Sequence, residues 1–199
     1  MLHRVLYTIV HCWKFRAALS QFIQQDSLKA ATIFDIDMPA MQAQGVRGLI
    51  VDFDGVLNAH GANYPTQAAI DCIKNWVQLL GLHKVFILSN KPMQVRADFF
   101  ATELPETEFI IGKRKKPYPD GVELILATSK LNPNELLLID DRLATGILAA
   151  MITGTKAILI DKPMINLQQN FWTESFFVGL RWFERCCFSL CMLKKHLHE

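Results

Sequence analysis

Apolar positions in this chain come in short blocks separated by longer, periodic stretches. Undivided apolar runs end at Val51, Leu88 and Ile139, a weaker one spans Glu108 to Ile111, and a fifth runs from Lys156 to Ile160. Runs of this length without alternation read as strands buried on both faces. Between them the apolar period becomes helical. Pro65 opens one helix at its first position and Gly81 closes it, with Ala69, Ile73, Trp76, Val77 and Leu80 as one apolar stripe. Further helices are expected near 93–102, from Pro119 to Lys130, and over 143–151 before Gly154. Strands alternating with helices imply a parallel sheet with right-handed crossovers. The expectation is a three-layer α/β fold with about five strands.

The two ends follow a different pattern. Residues 1–25 read as an amphipathic helix, with Arg4, Thr8, His11 and Lys14 on one side and Leu2, Val5, Leu6, Ile9, Trp13 and Phe15 on the other. From Phe171 to Leu193 the chain is aromatic-rich and apolar nearly all round. It is interrupted by Glu174, Arg181, Glu184 and Arg185 and closed by Lys194, Lys195 and two histidines. The chain thus divides into a helical segment at 1–28, a core at 29–165 and a second helical segment at 166–199. Aromatic residues opposite lysine and arginine mark helices that lie in a membrane interface. A membrane surface is therefore an expected partner, and a cytoplasmic, membrane-peripheral location the expected setting. Val5 to Val10 is too short for the apolar region of a secretory leader, and no stretch of 18 residues is free of charge.

Composition changes this picture little. The 199 residues suit one domain with appendages, and a 51% hydrophobic content allows a sizeable core. The net charge of +2 gives no whole-molecule attraction to nucleic acid, which is not expected as a partner. Cys12, Cys72, Cys186, Cys187 and Cys191 form no CxxC pair and read as reduced thiols. The three in the tail are small hydrophobes on this reading.

The candidate chemistry sits where the strands end. Asp52 and Asp54 follow the first run, Ser89 and Asn90 the second, Lys116 the third, and Asp140 and Asp141 the fourth. In a parallel sheet these ends share one edge, where open α/β sheets bind ligands. Carboxylates, a hydroxyl and a lysine around a divalent ion suit phosphoryl transfer, which depends on positioning and charge neutralisation. Only about seven residues separate Leu57 from Pro65, and about 27 separate Ser89 from Lys116, so neither gap holds a lid domain. An uncapped site favours a substrate presented by something large. His60 reads as part of a polar loop.

These residues resemble a known family. Asp52-Phe-Asp54-Gly-Val-Leu57 is similar to the first motif of the haloacid dehalogenase (HAD) superfamily of phosphatases, Ser89 to its second, Lys116-Pro117 to its third and Asp140-Asp141 to its fourth. A closer likeness is to the capless subclass IIIA, which contains phosphatidylglycerophosphate phosphatases. There the segment resembling Ile33 to Asp37, the Lys-Pro pair and a C-terminal aromatic and basic helix are typical. The resemblance implies that Asp52 attacks phosphorus and forms an aspartyl-phosphate. It implies that Asp54 protonates the leaving oxygen and then activates water, while Ser89, Asn90 and Lys116 bind the phosphoryl group. Mg²⁺ would be held by Asp52, Asp141 and the main-chain carbonyl of Asp54, with Asp140 as a further ligand. The substrate implied is a phospholipid head group; rival readings are a protein or polynucleotide phosphatase, or an impaired fold used for docking. Gly146 motivates the last, because it stands where the subclass carries another acid; the resemblance leaves open a thinned metal site or one that Asp140 completes.

Overall fold

The computed structural model describes residues 2–81 and 83–196, with side chains as far as Ser189. Cys191, Lys194, Lys195 and the last two histidines lie outside the described side chains. Six strands form one sheet: β1 (Lys29–Ala30), β2 (Gly48–Val51), β3 (Val85–Leu88), β4 (Glu108–Ile110), β5 (Leu136–Asp140) and β6 (Lys156–Ile160). Their order is β1-β6-β5-β2-β3-β4 and every pairing is parallel. The helices are α1 (Leu2–Lys14), α2 (Arg16–Gln24), α3 (Met38–Ala43), α4 (Gln67–Leu80), α5 (Gln94–Glu103), α6 (Asp120–Ser129), α7 (Leu148–Thr153) and α8 (Leu167–His196).

Alternate residues of each strand feed two apolar layers. Leu49, Val51 and Ile87 join Ile33, Ile73 and Phe100 on one face, while Ile50, Phe86 and Leu138 join Val122, Ile125 and Ile147 on the other. This is the three-layer arrangement the undivided apolar runs imply. The chain moves from β2 outward through β3 and β4, then returns to β5 on the opposite side of β2. The point where the order reverses, between β2 and β5, opens a crevice at the strands' C-terminal ends. Asp52 and Asp140–Asp141 stand at that point.

Several expected boundaries move. The sheet gains a sixth strand, β1, whose two residues carry no apolar run long enough to announce it. The single helix over 1–25 breaks at Phe15, which caps α2 with φ −99° and ψ 13°. Pro65 is not the first helical residue: Thr66 is the cap, its side chain accepting from the Ala69 amide at 3.2 Å. Gly81 closes α4 at φ 95° as expected. The helix expected at 143–151 begins instead as a wide π turn, Leu143–Ile147, before α7.

The ends turn their polar sides inward and leave their apolar sides exposed. In α1 the apolar residues face out: Leu2 is 71% exposed, and Val5, Leu6, Ile9 and Trp13 are also exposed. The polar side turns inward, where Arg4 donates to the Lys116 carbonyl at 3.0 and 2.6 Å. Helix α8, whose regular geometry is broken once at Asn170, does the same. Glu174, Arg181, Glu184 and Phe188 share one buried face, while Trp172 (84% exposed), Phe176, Trp182 and Phe183 point to solvent. Among the described residues no helix is long and apolar enough to cross a membrane.

Candidate active site

The site is built from four strand ends and one helix. Beyond β2 the chain turns at Gly55, whose φ of 86° admits only a residue without a Cβ at low cost. A Cβ there would also lie 2.5 Å from Asp141 Oδ2, so the absence of a side chain lets the Asp52–Asp54 turn approach the acids after β5.

Asp52, Asp140 and Asp141 are all buried and form a cluster in which one carboxylate oxygen from each lies within 4.8 Å of the others. Lys116 stands between two of them, its Nζ 2.8 Å from Asp52 Oδ1 and 2.5 Å from Asp140 Oδ2. Burial alone would favour the neutral amine, but Asp140 and Asp52 outweigh it and hold Lys116 protonated beyond the usual lysine range. Burial pushes Asp52 well above the usual carboxylate range; Lys116 pulls it down, and Asp140 and Asp141 push it further up. Asp141 is pushed up to about 7, by burial first and then by Asp140, against the pull of Arg181 and Arg142.

On the other side of this cluster Asp54 has its own partner. Arg96 of α5 is fully buried and grips Asp54 with both terminal nitrogens, at 2.8 and 3.1 Å. Its guanidinium lies 3.7 Å from the centroid of the Phe53 ring and also donates to Ser89 Oγ and to the Ala62 carbonyl. Burial raises Asp54, but the hydrogen bonds and charge of Arg96, with the Gly61 amide, hold it below the usual carboxylate range. Ser89 Oγ lies 3.5 Å from Asp54 Oδ2 and accepts from the Lys91 amide at 3.0 Å.

The structure therefore brings Asp52, Asp54, Ser89, Lys116, Asp140 and Asp141 to one edge, as the strand-end pattern implies. Asn90 stands at the same edge, after β3, and lines the pocket there. Its carboxamide brackets the Lys116 backbone, accepting from the Lys116 amide at 2.6 Å and facing its carbonyl at 3.5 Å, so it steadies the lysine loop. This pocket of about 170 Å³ is also lined by Ser89, Lys116, Tyr118 and the basic run from Lys113 to Lys115. It adjoins the cluster on the Ser89–Lys116 side rather than enclosing the carboxylates.

Gly146 also takes a new meaning. A Cβ at this position would lie 2.0 Å from Asp140 Oδ2 and 2.4 Å from Asp140 Cβ. The Asp140 carboxylate fills the space a side chain at 146 would need. The absence of a side chain at 146 thus makes room for the Asp140 carboxylate. The donor set fits a hard divalent cation. Three buried carboxylates converge, and Asp52 Oδ1, though near Lys116, lacks a well-aligned hydrogen bond.

Three charged residues of α8 were read as interruptions of an apolar tail, and each reaches this edge. Glu174 accepts from the amides of His60 (2.9 Å) and Asn166 (3.3 Å). Arg181 Nη1 donates to Asp141 Oδ2 at 2.5 Å. Glu184 is paired with Arg142 and accepts from the Ala144 amide at 3.3 Å. His60 stacks on Phe177 at 3.9 Å with its Nδ1 3.3 Å from Glu174, and burial holds its pKa below the usual value against the pull of Glu174. The signal in the sequence was the spacing of 174, 181, 184 and 188, which puts all four on one helical face. Arg96 carried no comparable signal.

The chain belongs to the haloacid dehalogenase-like hydrolases: the family's sequence pattern matches residues 11–151. A search of curated proteins found no match. Among solved structures, an uncharacterized protein from Listeria monocytogenes serotype 4b is similar at 17% identity and TM-score 0.50, over 61% of this chain and 83% of that one. NagD from E. coli K-12 is similar at 15% identity and TM-score 0.47, over 63% and 91%. The HAD family enzyme bt-2542 from Bacteroides thetaiotaomicron, solved with magnesium and inorganic phosphate, is similar at 12% identity and TM-score 0.46, over 58% and 94%. At such identities the likeness concerns the fold.

Proposed function

We propose that this chain is a Mg²⁺-dependent phosphomonoesterase that works through an aspartyl-phosphate on Asp52. The observation that carries the reading is the convergence of Asp52, Lys116 and the Asp140–Asp141 pair on one side, with Asp54 and Ser89 on the other. Lys116 and Ser89 would bind the phosphoryl oxygens and align phosphorus with Asp52, and positioning of this kind supplies most of the catalysis in phosphoryl transfer. Asp52 attacks, the ester oxygen departs, and Asp54 supplies the proton that oxygen takes. Arg96 favours the ionised form of Asp54 in the free site, the form that next takes a proton from the attacking water. An incoming phosphate adds negative charge beside Asp54 and promotes the protonated form needed first. Mg²⁺, held by Asp52, Asp141 and the Asp54 carbonyl with Asp140 beside them, would supply neutralisation of charge on the phosphoryl oxygens.

The substrate we infer is a phospholipid head group such as phosphatidylglycerophosphate. Support comes from the ends. The inner sides of α1 and α8 touch Lys116 and Asp141, while their outer sides expose Leu6, Ile9, Trp13, Trp172 and Phe183 about one helix diameter (~10 Å) away. Such a surface suits a lipid interface, and would present the site to head groups. The segment between β2 and α4, residues 52–66, and the α5 connection between β3 and β4 are short, which suits a substrate too large for a closing lid.

The test is phosphate release with Mg²⁺ from vesicles carrying phosphatidylglycerophosphate, from an aryl phosphate and from a phosphopeptide. The lipid reading expects the vesicles to be preferred. Turnover of the aryl phosphate alone would remove the lipid assignment and leave the phosphatase. No release above Asp52→Asn on any substrate would remove both.

A further inference from the structure

The charged face of α8 does more than hold a helix in place. Arg181 sits 2.5 Å from Asp141 Oδ2, and that acid is one of the three that converge on the metal position. Its other terminal nitrogen, Nη2, is buried without a hydrogen-bond partner, and the side chain is only 6% exposed. A buried donor left unpaired is uncommon and points to a partner that arrives later.

We propose that Arg181 is a second phosphate-binding cation of this site, held on Asp141 until a divalent cation takes that carboxylate. The inference rests on the phosphatase reading above. A divalent cation on Asp141 and a guanidinium on the same oxygen repel one another, so the arginine must turn away as the metal enters. It cannot leave. Seven residues before it, Glu174 is pinned to the amides of His60 and Asn166; three residues after it, Glu184 is pinned to Arg142 and Ala144. The displaced guanidinium therefore stays buried at the site without its anion, an unfavourable state. The anion that enters next is the phosphoryl group, whose oxygens match the planar fork of arginine.

The charges agree with this order. Asp52, Asp54, Asp140 and Asp141 face Lys116, Arg96 and Arg181, four carboxylates against three cations. A divalent ion changes the sign of that balance, and an anionic ligand restores it. On this account α8 is part of the site, and its arginine makes phosphate-free and phosphate-loaded states respond oppositely to its removal.

The test is calorimetric titration of Mg²⁺ into the phosphate-free protein, and of inorganic phosphate into the Mg²⁺-loaded protein. Wild type is compared with Arg181→Met and Arg181→Lys. The proposal expects Arg181→Met to bind Mg²⁺ at least about fivefold tighter and phosphate at least about fivefold weaker, the scale of ordinary coupling between sites. Arg181→Lys should keep part of the phosphate affinity. If Met weakens both ligands, or changes neither, Arg181 is a structural tie and the proposal fails while the phosphatase reading stands. A wild type that binds no Mg²⁺ overturns both. Should Arg181→Met not fold, the Arg181 Nε–H resonance of wild type decides: it should move on adding Mg²⁺ and move again on adding phosphate. No second movement overturns the proposal.

Discussion

Gly146→Ala is the smallest change that tests how the acids after β5 are arranged. Adding one methyl group places a carbon 2.0 Å from Asp140 Oδ2, 2.2 Å from its Cγ and 2.4 Å from its Cβ. Turning the Asp140 side chain relieves the first two overlaps but not the third, because its Cβ is fixed by the backbone of β5. The π turn or the strand end has to shift, and overpacking of this kind costs about 1–3 kcal/mol. The shift also pulls Asp140 from Lys116, and opening a buried pair adds about 3–5 kcal/mol when one partner is left alone. Lys116 keeps Asp52 at 2.8 Å, so the lower end of that range applies. The expected loss is about 4–6 kcal/mol in all, measured by urea unfolding. Asp140→Gly removes the obstructing side chain, so the double variant Asp140→Gly/Gly146→Ala should be more stable than Gly146→Ala alone. The coupling should exceed about 1 kcal/mol, beyond the usual additivity error. A Gly146→Ala protein within about 0.5 kcal/mol of wild type, the range of an ordinary surface change, would refute the reasoning.

Arg96→Met should leave Asp54 buried without its bidentate partner, destabilise the protein by about 3–5 kcal/mol and lower kcat, with the low-pH limb of the rate profile moving up; an unmoved limb would detach Arg96 from Asp54. Asp141 titrates about 7 in the metal-free fold against a reference of 3.8, so its contribution favours the fold below the reference value and is lost as pH rises through about 7. Melting in EDTA should therefore fall from pH 4 to 7 relative to Asp141→Asn, with Mg²⁺ restoring it; equal slopes for the two proteins would contradict this. Replacing Trp172, Phe176 and Trp182 together by serine should weaken vesicle flotation while leaving the melting temperature within a few degrees, because all three face solvent. Unchanged flotation would remove α8 as the lipid-facing element.

Most of the core was legible because a doubly covered parallel sheet demands undivided apolar runs, and each site residue expected at a strand end is there. β1 escaped because two residues cannot show a period. The π turn escaped because Leu143 to Ile147 has the composition of an ordinary helix, and its widening depends on the acid it packs against. What Gly146 does was not legible because it is set by Asp140 in space, six residues and a strand end away. The inward role of the charged residues at the ends escaped for a different reason. Apolar area normally decides which side of a helix turns inward, and at α1 and α8 the site reverses that choice. Open carbonyls, amides and carboxylates at the sheet edge offer Arg4, Glu174, Arg181 and Glu184 partners that water would otherwise supply. The aromatic side is then left outside. Arg96 lies on a helix with no clear amphipathic pattern, so nothing in its sequence neighbourhood distinguishes it from a surface arginine.

The central claim is that Asp52 becomes covalently phosphorylated. Mixing the protein with Mg²⁺ and an aryl phosphate, quenching during turnover and reducing with borohydride converts an aspartyl-phosphate to homoserine, which peptide mass spectrometry locates. Homoserine at position 52 in wild type, dependent on Mg²⁺ and missing from Asp52→Asn, is the expected result. Sustained phosphate release with no modification at position 52 would contradict the account.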